Sequence, residues 1–183
     1  MIEVRFHGRG GQGAVTSSEL LALAAISEGK YAQAFPSFGP ERRGAPLQAY
    51  LRISDSPIRL REEIYEPNIV VVIDPALVSS LAIRNGLGPK GTLVVNSARN
   101  IDQIRQECGF NGRIAKVDAS TIAEAELGVP ITNTTMIGAL LKAGDGLVSF
   151  ASLKAPLEER FGANAGKNLK ALERAFKETI IEE

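Results

Sequence analysis

The first candidate for a functional site is a glycine-rich turn near the start of the chain, Gly8-Arg9-Gly10-Gly11-Gln12-Gly13. A strand-like stretch, Ile2 to His7, precedes the turn, and a helix-like run, Ala14 to Glu28, follows it. Strand, glycine turn and helix in this order open a phosphate-binding α/β unit, because glycine permits the tight turn and lets backbone N–H groups approach an anion. The first, third and sixth residues of the turn also match the G-x-G-x-x-G fingerprint of dinucleotide-binding folds.

The dinucleotide interpretation has a second requirement, which this chain does not meet. A carboxylate about 20 residues further on, at the end of the second strand, should bind the ribose hydroxyls. The second strand candidate, Tyr31 to Phe38, ends in Pro36-Ser37-Phe38 without an acid. Three interpretations stay open: nicotinamide binding, a turn that serves another anion or a protein partner, and a turn that only allows close packing. We favour the second.

Among the polar clusters of the sequence, the charged loop Glu41-Arg42-Arg43 gives the strongest indication of a binding site. Two adjacent arginines can offer forked donors to phosphate or carboxylate, and Glu41 can hold one of them in place. Gly39-Pro40 and Gly44-Ala45-Pro46 frame the loop and stiffen it, which favours a functional role over an ordinary solvated loop. Because the loop follows the second strand, we expect it at the same edge of the sheet as the glycine turn, where the two could face one cleft.

A third cluster is Asn133-Thr134-Thr135-Met136 at the start of a predicted helix, Thr134 to Ala143. An amide and two hydroxyls at a helix N-terminus form an anion-friendly surface. Such residues are also ordinary N-caps, so the sequence alone favours a capping role for Asn133.

Residues for nucleophilic or metal chemistry are scarce. His7 is the only histidine, and its place beside the glycine turn favours a structural or ligand-contacting role over a catalytic one. Cys108 is the only cysteine and has no evident positive neighbour to lower its pKa, so we interpret it as an inert thiol. A single cysteine cannot hold an iron–sulfur cluster, and no metal-ligand spacing is present, so we expect no metal site.

Composition limits the remaining possibilities. The chain has 183 residues, of which 44% are hydrophobic and 23% charged, which predicts a single α/β domain over residues 1–183. Lys plus Arg and Asp plus Glu both number 21, so we expect no general attraction to nucleic acid or to a membrane surface. We see no signal-peptide pattern and no apolar run near about 18 residues, and we expect a cytoplasmic protein.

Hydrophobic patterning predicts the elements that position these clusters. Polar residues alternate along the first strand, so its polar face should be lightly covered or covered by another chain. The second and third strands are too close for a crossover helix and should be antiparallel neighbours. We predict a Rossmann-like, three-layer α/β fold with a mixed, mostly parallel sheet, whose strands are Ile2 to His7, Tyr31 to Phe38, Leu47 to Ile53, Asn68 to Asp74, Gly91 to Asn96 and Gly112 to Val117.

The last third of the chain should be helical. Asp118 or Thr121 caps a helix that ends at Gly128, and Ser149 or Ser152 opens one that runs to Phe161 with Pro156 inside it. The final helix is predicted to pair Glu173 with Lys177 and to place four apolar residues on one face: Leu169, Leu172, Phe176 and Ile180.

In order along the chain, these motifs resemble one known family. The glycine turn with Ala14-Val15, the segment Ser37 to Pro46, the segment Asn68 to Pro75 and the segment Asn133 to Leu140 are similar to the gamma subunit of the 2-oxoacid:ferredoxin oxidoreductases. The resemblance covers essentially the whole chain. The glycine turn is weak alone, but the turn and the glutamate-diarginine loop at this distance are specific together.

The resemblance implies one piece of a multi-subunit enzyme that decarboxylates a 2-oxoacid oxidatively to an acyl-coenzyme A. It places thiamine diphosphate and [4Fe-4S] clusters on sister alpha and beta subunits, with a delta subunit as a further candidate, and passes electrons to ferredoxin. It also implies that this chain is inactive alone and lies on the coenzyme A side of the active region. The implied cofactor-binding candidates are Gly8, Gly10, Gly11, Gln12, Gly13, Glu41, Arg42, Arg43, Asn133 and Thr134.

Two other hypotheses stay open beside the oxidoreductase subunit. The glycine turn and diarginine loop also suit a stand-alone nucleotide- or coenzyme A-binding module without redox chemistry. Alternatively, the chain could be an interaction subunit with a purely structural role. A homodimer of the isolated chain is compatible with each of these.

Overall fold

A computed structural model describes residues 1–37 and 43–183 of the chain. The strands are β1 (Ile2–Arg9), β2 (Tyr31–Pro36), β3 (Pro46–Ser54), β4 (Ile69–Val72), β5 (Thr92–Asn96), β6 (Arg113–Val117) and β7 (Ile180–Glu182). The α-helices are α1 (Ala14–Ser27), α2 (Leu81–Arg84), α3 (Ile101–Cys108), α4 (Ala119–Leu127), α5 (Asn133–Ala143), α6 (Phe150–Phe161) and α7 (Ala165–Glu178). Short 3₁₀ turns cover Pro75–Leu77 and Gly162–Asn164.

The described strands form one mixed sheet in the order β2-β3-β1-β4-β5-β6-β7. The central strands β1, β4, β5 and β6 are parallel, whereas β3 is antiparallel to both β1 and β2, and β7 is antiparallel to β6. The predicted α/β class and the antiparallel second and third strands are therefore confirmed. Phe38, predicted as the end of the second strand, lies outside the described residues.

Each face of the sheet carries its own layer. On one face, Val4, Phe6 and Leu51 pack with residues of α1, α5 and α7 in the larger hydrophobic core. On the other face, Val70 and Val72 pack with the segment that contains α2 and α3 in a smaller core. This is the predicted three-layer arrangement, and its parallel strands are buried on both faces, as their β-branched runs require.

The polar face of β1 is buried by the same chain. Arg52, only 1% exposed, pairs with Glu3 across the strands, with 2.7 Å from Nε to Oε1. Arg5, 4% exposed, donates from its guanidinium to four backbone oxygens of the covering segment, those of Ile64, Ala82, Ile83 and Asn85. A second chain is not needed to cover this face.

Two predicted helix caps were resolved by the structure in favour of one alternative each. The Asp118 carboxylate accepts the backbone N–H of Thr121, so Asp118, and not Thr121, is the N-cap of α4. The Ser149 hydroxyl caps α6 by accepting the N–H of Ser152, and Pro156 sits buried within that helix.

The end of the final helix was predicted wrongly. Ile180 lies in β7, opposite Lys116 of β6, and not on the apolar face of α7. The helix stops because Thr179 adopts an extended backbone, while its hydroxyl donates to the Ala175 carbonyl at 2.6 Å. Along the helix the ion pair joins Arg174 to Glu178, rather than Glu173 to Lys177.

Helices α5 and α7 approach each other closely at Gly138. A Cβ atom on Gly138 would lie 2.0 Å from the carbonyl oxygen of Leu172. Gly166, in the first turn of α7, has no heavy atom within 4 Å of the same position. Of these two helix glycines, Gly138 alone is required by packing.

We expect Gly138→Ala to lower the free energy of unfolding by about 1–3 kcal/mol, the usual cost of overpacking a buried contact. The matched control Gly166→Ala should leave it unchanged or raise it by up to about 1 kcal/mol, because alanine is the better helix former. Urea unfolding followed by circular dichroism measures both. Equal stability of the two variants would contradict the close helix contact.

The carboxylate of Glu28 joins the end of α1 to the start of α6. It accepts the backbone N–H of Ser149 at 2.6 Å and the hydroxyl of Ser152 at 2.7 Å, and it pairs with Lys30 at 3.2 Å. Desolvation acts to raise the pKa of Glu28, but these hydrogen bonds outweigh it and lower the pKa to about 2. The charged carboxylate is therefore the form that stabilises the fold.

Because the folded pKa of Glu28 is depressed, its charge contributes stability above pH 4.5, and that contribution is lost as the pH falls toward about 2. We expect the urea midpoint of Glu28→Gln to lie below that of the wild type at pH 7 and to converge with it near pH 2. Glu173→Gln, an exposed change on α7, is the control and should show no such convergence. A pH-independent difference for Glu28→Gln would contradict the assigned role.

Candidate functional site

The glycine turn lies at the point where the connections of the sheet diverge. β1 leads through α1 toward β2 on one side, and β4 leads through α2 to β5 on the other. In open α/β sheets, ligands bind at such a switch point, outside the carboxyl ends of the strands. Gly11 and Gly13 have φ angles of 94° and 79°, which residues with a side chain rarely adopt.

The Asp74 carboxylate, at the end of the β4 segment, holds this turn. Its Oδ2 accepts from Arg9 Nε at 2.8 Å and from Gln12 Nε2 at 3.0 Å. Gln12 Oε1 in turn accepts the backbone N–H of Arg9 at 2.7 Å, while Asp74 Oδ1 accepts the N–H of Ala76. Burial acts to raise the pKa of Asp74, but the bonds from Ala76, Gln12 and Arg9 lower it overall.

Sequence reasoning did not include Asp74 among the candidate site residues. A signal was available, because an acid directly follows a buried parallel strand whose carboxyl end must lie beside that of β1. The acid was sought instead after the second strand, where dinucleotide-binding folds place it.

The glycine turn and the arginine loop lie at one edge of the sheet. Gly10 donates to the carbonyl of Ala45 at 2.9 Å and accepts from the N–H of Gly44 at 3.1 Å. Gly10 and Arg43 form a parallel bridge, and Arg9 Nη1 donates to the Gly44 carbonyl. The predicted shared edge is thus confirmed for the described part of the loop, whereas Glu41 and Arg42 lie outside the described residues.

We call Gly8–Gly13, Arg43–Ala45 and Asp74 the rim. Its charged groups in the described residues are Arg9, Asp74 and Arg43. The Arg9 side chain is 36% exposed although it is paired, and Arg43 is exposed. The rim therefore presents one guanidinium compensated by Asp74 and another that is not bonded to Asp74.

Asn133 reaches the rim, but not as the predicted cap. The N-cap of α5 is Thr132, and Asn133 is its first helical residue. A Cβ on Gly13 would lie 2.7 Å from Asn133 Nδ2, so the amide fills the space that this glycine leaves. The capping prediction fails because the side chain packs against the turn instead of bonding the first N–H groups of its helix. Asn133 Oδ1 is buried without a hydrogen-bond partner in the structure.

Thr134, the other candidate on α5, does not reach the rim. It is 0% exposed, and its hydroxyl donates to Asn168 Oδ1 of α7 at 2.6 Å. Thr134 thus links two helices of one layer and is inaccessible to a ligand in this conformation.

His7 is a buried, neutral residue. It is 4% exposed, and its Nε2 accepts from Arg5 Nε at 3.0 Å. Burial, with the positive charge of Arg5, lowers the pKa of His7 to about 3. Cys108 is also buried, and burial raises the pKa of its thiol although the charges of Arg105 and Arg84 act to lower it.

A polar cleft of about 310 Å³ adjoins the rim on the second face of the sheet. His7, Gln48, Tyr50, Glu63 and Ser80 contribute its polar lining, and Ser37 and Pro46 border it. The Tyr50 hydroxyl donates to Gln48 Oε1 at 3.0 Å. Burial, together with Glu63, raises the pKa of Tyr50 to about 12, so this hydroxyl stays protonated.

Two further properties concern residues 1–37 and 43–183. No group of three or more His, Cys, Asp or Glu side chains there is arranged to hold a metal ion. None of the helices in these ranges has the length and apolar character needed to cross a bilayer.

Comparisons with known proteins identify relatives along the whole chain. Residues 3–178 match the family described as "Pyruvate ferredoxin/flavodoxin oxidoreductase". The chain is 50% identical to the pyruvate/ketoisovalerate oxidoreductases common subunit gamma of Thermococcus kodakarensis, with 100% of both chains covered. It is 47% identical to the pyruvate synthase subunit PorC of Methanothermobacter thermautotrophicus, with 97% of this chain and 96% of that protein covered.

Solved structures of related proteins have the same fold as this chain. The pyruvate oxidoreductase subunit PORC of Thermotoga maritima superposes with a TM-score of 0.89 at 41% identity, covering 100% of this chain and 98% of that one. The fold also matches a 2-oxoglutarate:ferredoxin oxidoreductase from Magnetococcus marinus with 2-oxoglutarate, coenzyme A and succinyl-CoA bound. That match has a TM-score of 0.75 at 19% identity and covers 95% of this chain but 30% of the other, so it shows the fold alone. The chain belongs to the pyruvate ferredoxin/flavodoxin oxidoreductase family, as a gamma-type subunit.

Proposed function

We propose that this chain, as a single gamma-type domain over residues 1–183, supplies a coenzyme A-binding rim to a cytoplasmic 2-oxoacid:ferredoxin oxidoreductase. The observation that carries the proposal is the hydrogen-bonded pair of loops at the switch point, where Gly10 bonds both Gly44 and Ala45. These bonds bring the exposed Arg43 beside the half-buried Arg9 of the glycine turn. Phosphate groups of coenzyme A are suitable ligands for such donors.

The electrostatics of the rim support a weak, oriented interaction with an anion. Asp74 offsets the charge of Arg9, so Arg43 provides the uncompensated positive charge among the described rim residues. Asp74 also fixes the Arg9 guanidinium in direction, which preserves its remaining donors for a ligand. A rim of this kind would orient a phosphate group, with sister subunits contributing further contacts.

The redox chemistry belongs to the assembled enzyme. Thiamine diphosphate supplies the decarboxylation chemistry when it is bound, and [4Fe-4S] clusters supply electron transfer to ferredoxin. A [4Fe-4S] cluster needs four thiolates, and this chain has one cysteine, Cys108, which is buried. The chain's residues therefore do not fit a cluster, and we assign both cofactors to alpha and beta subunits, with a delta subunit as a further partner.

We expect Arg43→Ala to raise the Michaelis constant for coenzyme A of the reconstituted enzyme roughly tenfold or more, because a hydrogen bond to a charged group contributes about 1.5–3 kcal/mol. Turnover at saturating coenzyme A should be unchanged. Steady-state kinetics measure both values. The control is Arg174→Ala, which removes an arginine from α7 that pairs with Glu126 and Glu178.

An unchanged Michaelis constant in a fully assembled Arg43→Ala enzyme would contradict the proposal. Weaker assembly with an unchanged constant, measured by size-exclusion chromatography of the complex, would favour the purely structural subunit instead.

We also expect the isolated chain to bind coenzyme A more weakly than about 10 μM, because the one uncompensated charge and the few backbone donors of the described rim residues provide little net affinity after the entropic cost of association. Isothermal titration calorimetry with coenzyme A and with NAD tests this. Micromolar binding of either ligand without sister subunits would favour the stand-alone nucleotide- or coenzyme A-binding module.

A further inference from the structure

Strand β2 forms one edge of the sheet. In the described residues it pairs with β3 alone, and its sequence from Tyr31 to Pro36 contains no charged residue. The opposite edge strand, β7, is only three residues long and ends in Glu182. Short or charged edge strands resist pairing with other chains, whereas a long uncharged one invites it.

The hydrogen-bond phase of β2 determines which backbone groups face outward. Ser37 donates to the carbonyl of Gln48, in the same register that pairs Phe35 with Tyr50 and Gln33 with Arg52. Because bonded pairs alternate along an antiparallel ladder, the even-numbered residues turn their backbone groups toward the open edge. Those residues are Ala32, Ala34 and Pro36.

We propose that β2 pairs antiparallel with β2 of a second copy of this chain, about a two-fold axis at Gln33, so that two sheets become one. In this register Ala32 of each copy faces Ala34 of the other. Every outward N–H and C=O of these two alanines then finds a partner across the axis. An isologous contact of this kind is the usual basis of a symmetric dimer.

Pro36 selects this register over its neighbour. Moving the axis to Ala34 would place Pro36 opposite Ala32, and proline has no N–H to donate to the Ala32 carbonyl. With the axis at Gln33, Pro36 lies beyond the bonded alanines and leaves none of their groups unpaired.

Side chains on the second face of the sheet complement the same register. Tyr31, which is 47% exposed, comes directly opposite Phe35 of the second copy. Phe35 already lies against the Tyr50 ring, with centroids 5.1 Å apart, and the Arg52 guanidinium lies 5.5 Å from its centroid. Pairing would extend this aromatic row across the axis, and aromatic cross-strand pairs stabilise sheets.

Apolar residues also flank the edge on both faces. Leu60, 38% exposed, lies beside Gln33, whose Nε2 donates to the Leu60 carbonyl at 3.3 Å. Ile26, 53% exposed, belongs to α1, the helix that packs over β2. A dimer through β2 would bring both residues close to the second copy and reduce their exposure to water.

The central test introduces charge at the two-fold axis, where Gln33 of one copy faces Gln33 of the other. We expect the wild-type chain to sediment as a dimer at micromolar concentration. Gln33→Lys and Gln33→Glu should each weaken the dimer roughly tenfold or more, because like charges would lie about 5 Å apart. An equimolar mixture of the two variants should restore it, which shows that each variant is folded. Gln106→Lys, an exposed change on α3, is the control and should not affect association.

A cysteine at the axis tests the register. Residues directly opposite in a non-bonded pair have Cα atoms about 4.5 Å apart, within the range for a disulfide. Gln33→Cys should form a disulfide-linked dimer under mild oxidation, whereas Tyr31→Cys should not, because Tyr31 faces Phe35 and not itself. The native Cys108 is buried and should not interfere.

A monomeric wild-type chain at micromolar concentration would overturn the proposal, as would a dimer that Gln33→Lys leaves intact. Hydrogen-exchange protection of Ala32 and Ala34 that appears only when sister subunits are added would also overturn it. That result would assign the edge to a strand of a sister subunit.

Discussion

The carboxylate of Asp74 is the contact on which the geometry of the rim depends. One of its oxygens binds both the Arg9 guanidinium and the Gln12 amide, and the other is bound by the N–H of Ala76. Through these bonds a residue at the end of the β4 segment determines the shape of a turn after β1. The two loops of the switch point therefore behave as one unit, and the arginine loop joins them through the bonds of Gly10.

A buried polar face makes this arrangement possible and also costs stability. Taking Arg5 and Arg52 out of water is unfavourable, and their bonds to carbonyls and to Glu3 act against that cost. Arg52 Nη1 even remains without a hydrogen-bond partner. What these arginines provide is position, because their bonds hold the irregular segment around Ile64 and the region of α2 against the sheet beside the cleft.

Much of the fold could be predicted from the sequence because its signals are local. The β-branched run before Asp74 and the alternation in β1 each indicate burial directly. The predictions failed where a distant contact decided the outcome. The sequence around Asn133 is typical of a helix cap, but its amide packs against Gly13, which is distant in sequence. Ile180 fits the apolar face of the final helix, but it pairs with Lys116 of β6 as part of a strand. For the same reason Thr134, which bonds Asn168 in another helix, was placed at the site.

The bond between Arg5 and His7 has a consequence for the cleft. His7 Nε2 accepts a hydrogen bond from Arg5 Nε, so the neutral imidazole ring must carry its own hydrogen on Nδ1. With the pKa of His7 at about 3 and that of Tyr50 at about 12, neither ring changes its protonation anywhere near neutrality. A molecule bound in the cleft therefore meets the same hydrogen-bond donors and acceptors on His7 and Tyr50 in mildly acidic and in mildly alkaline solution.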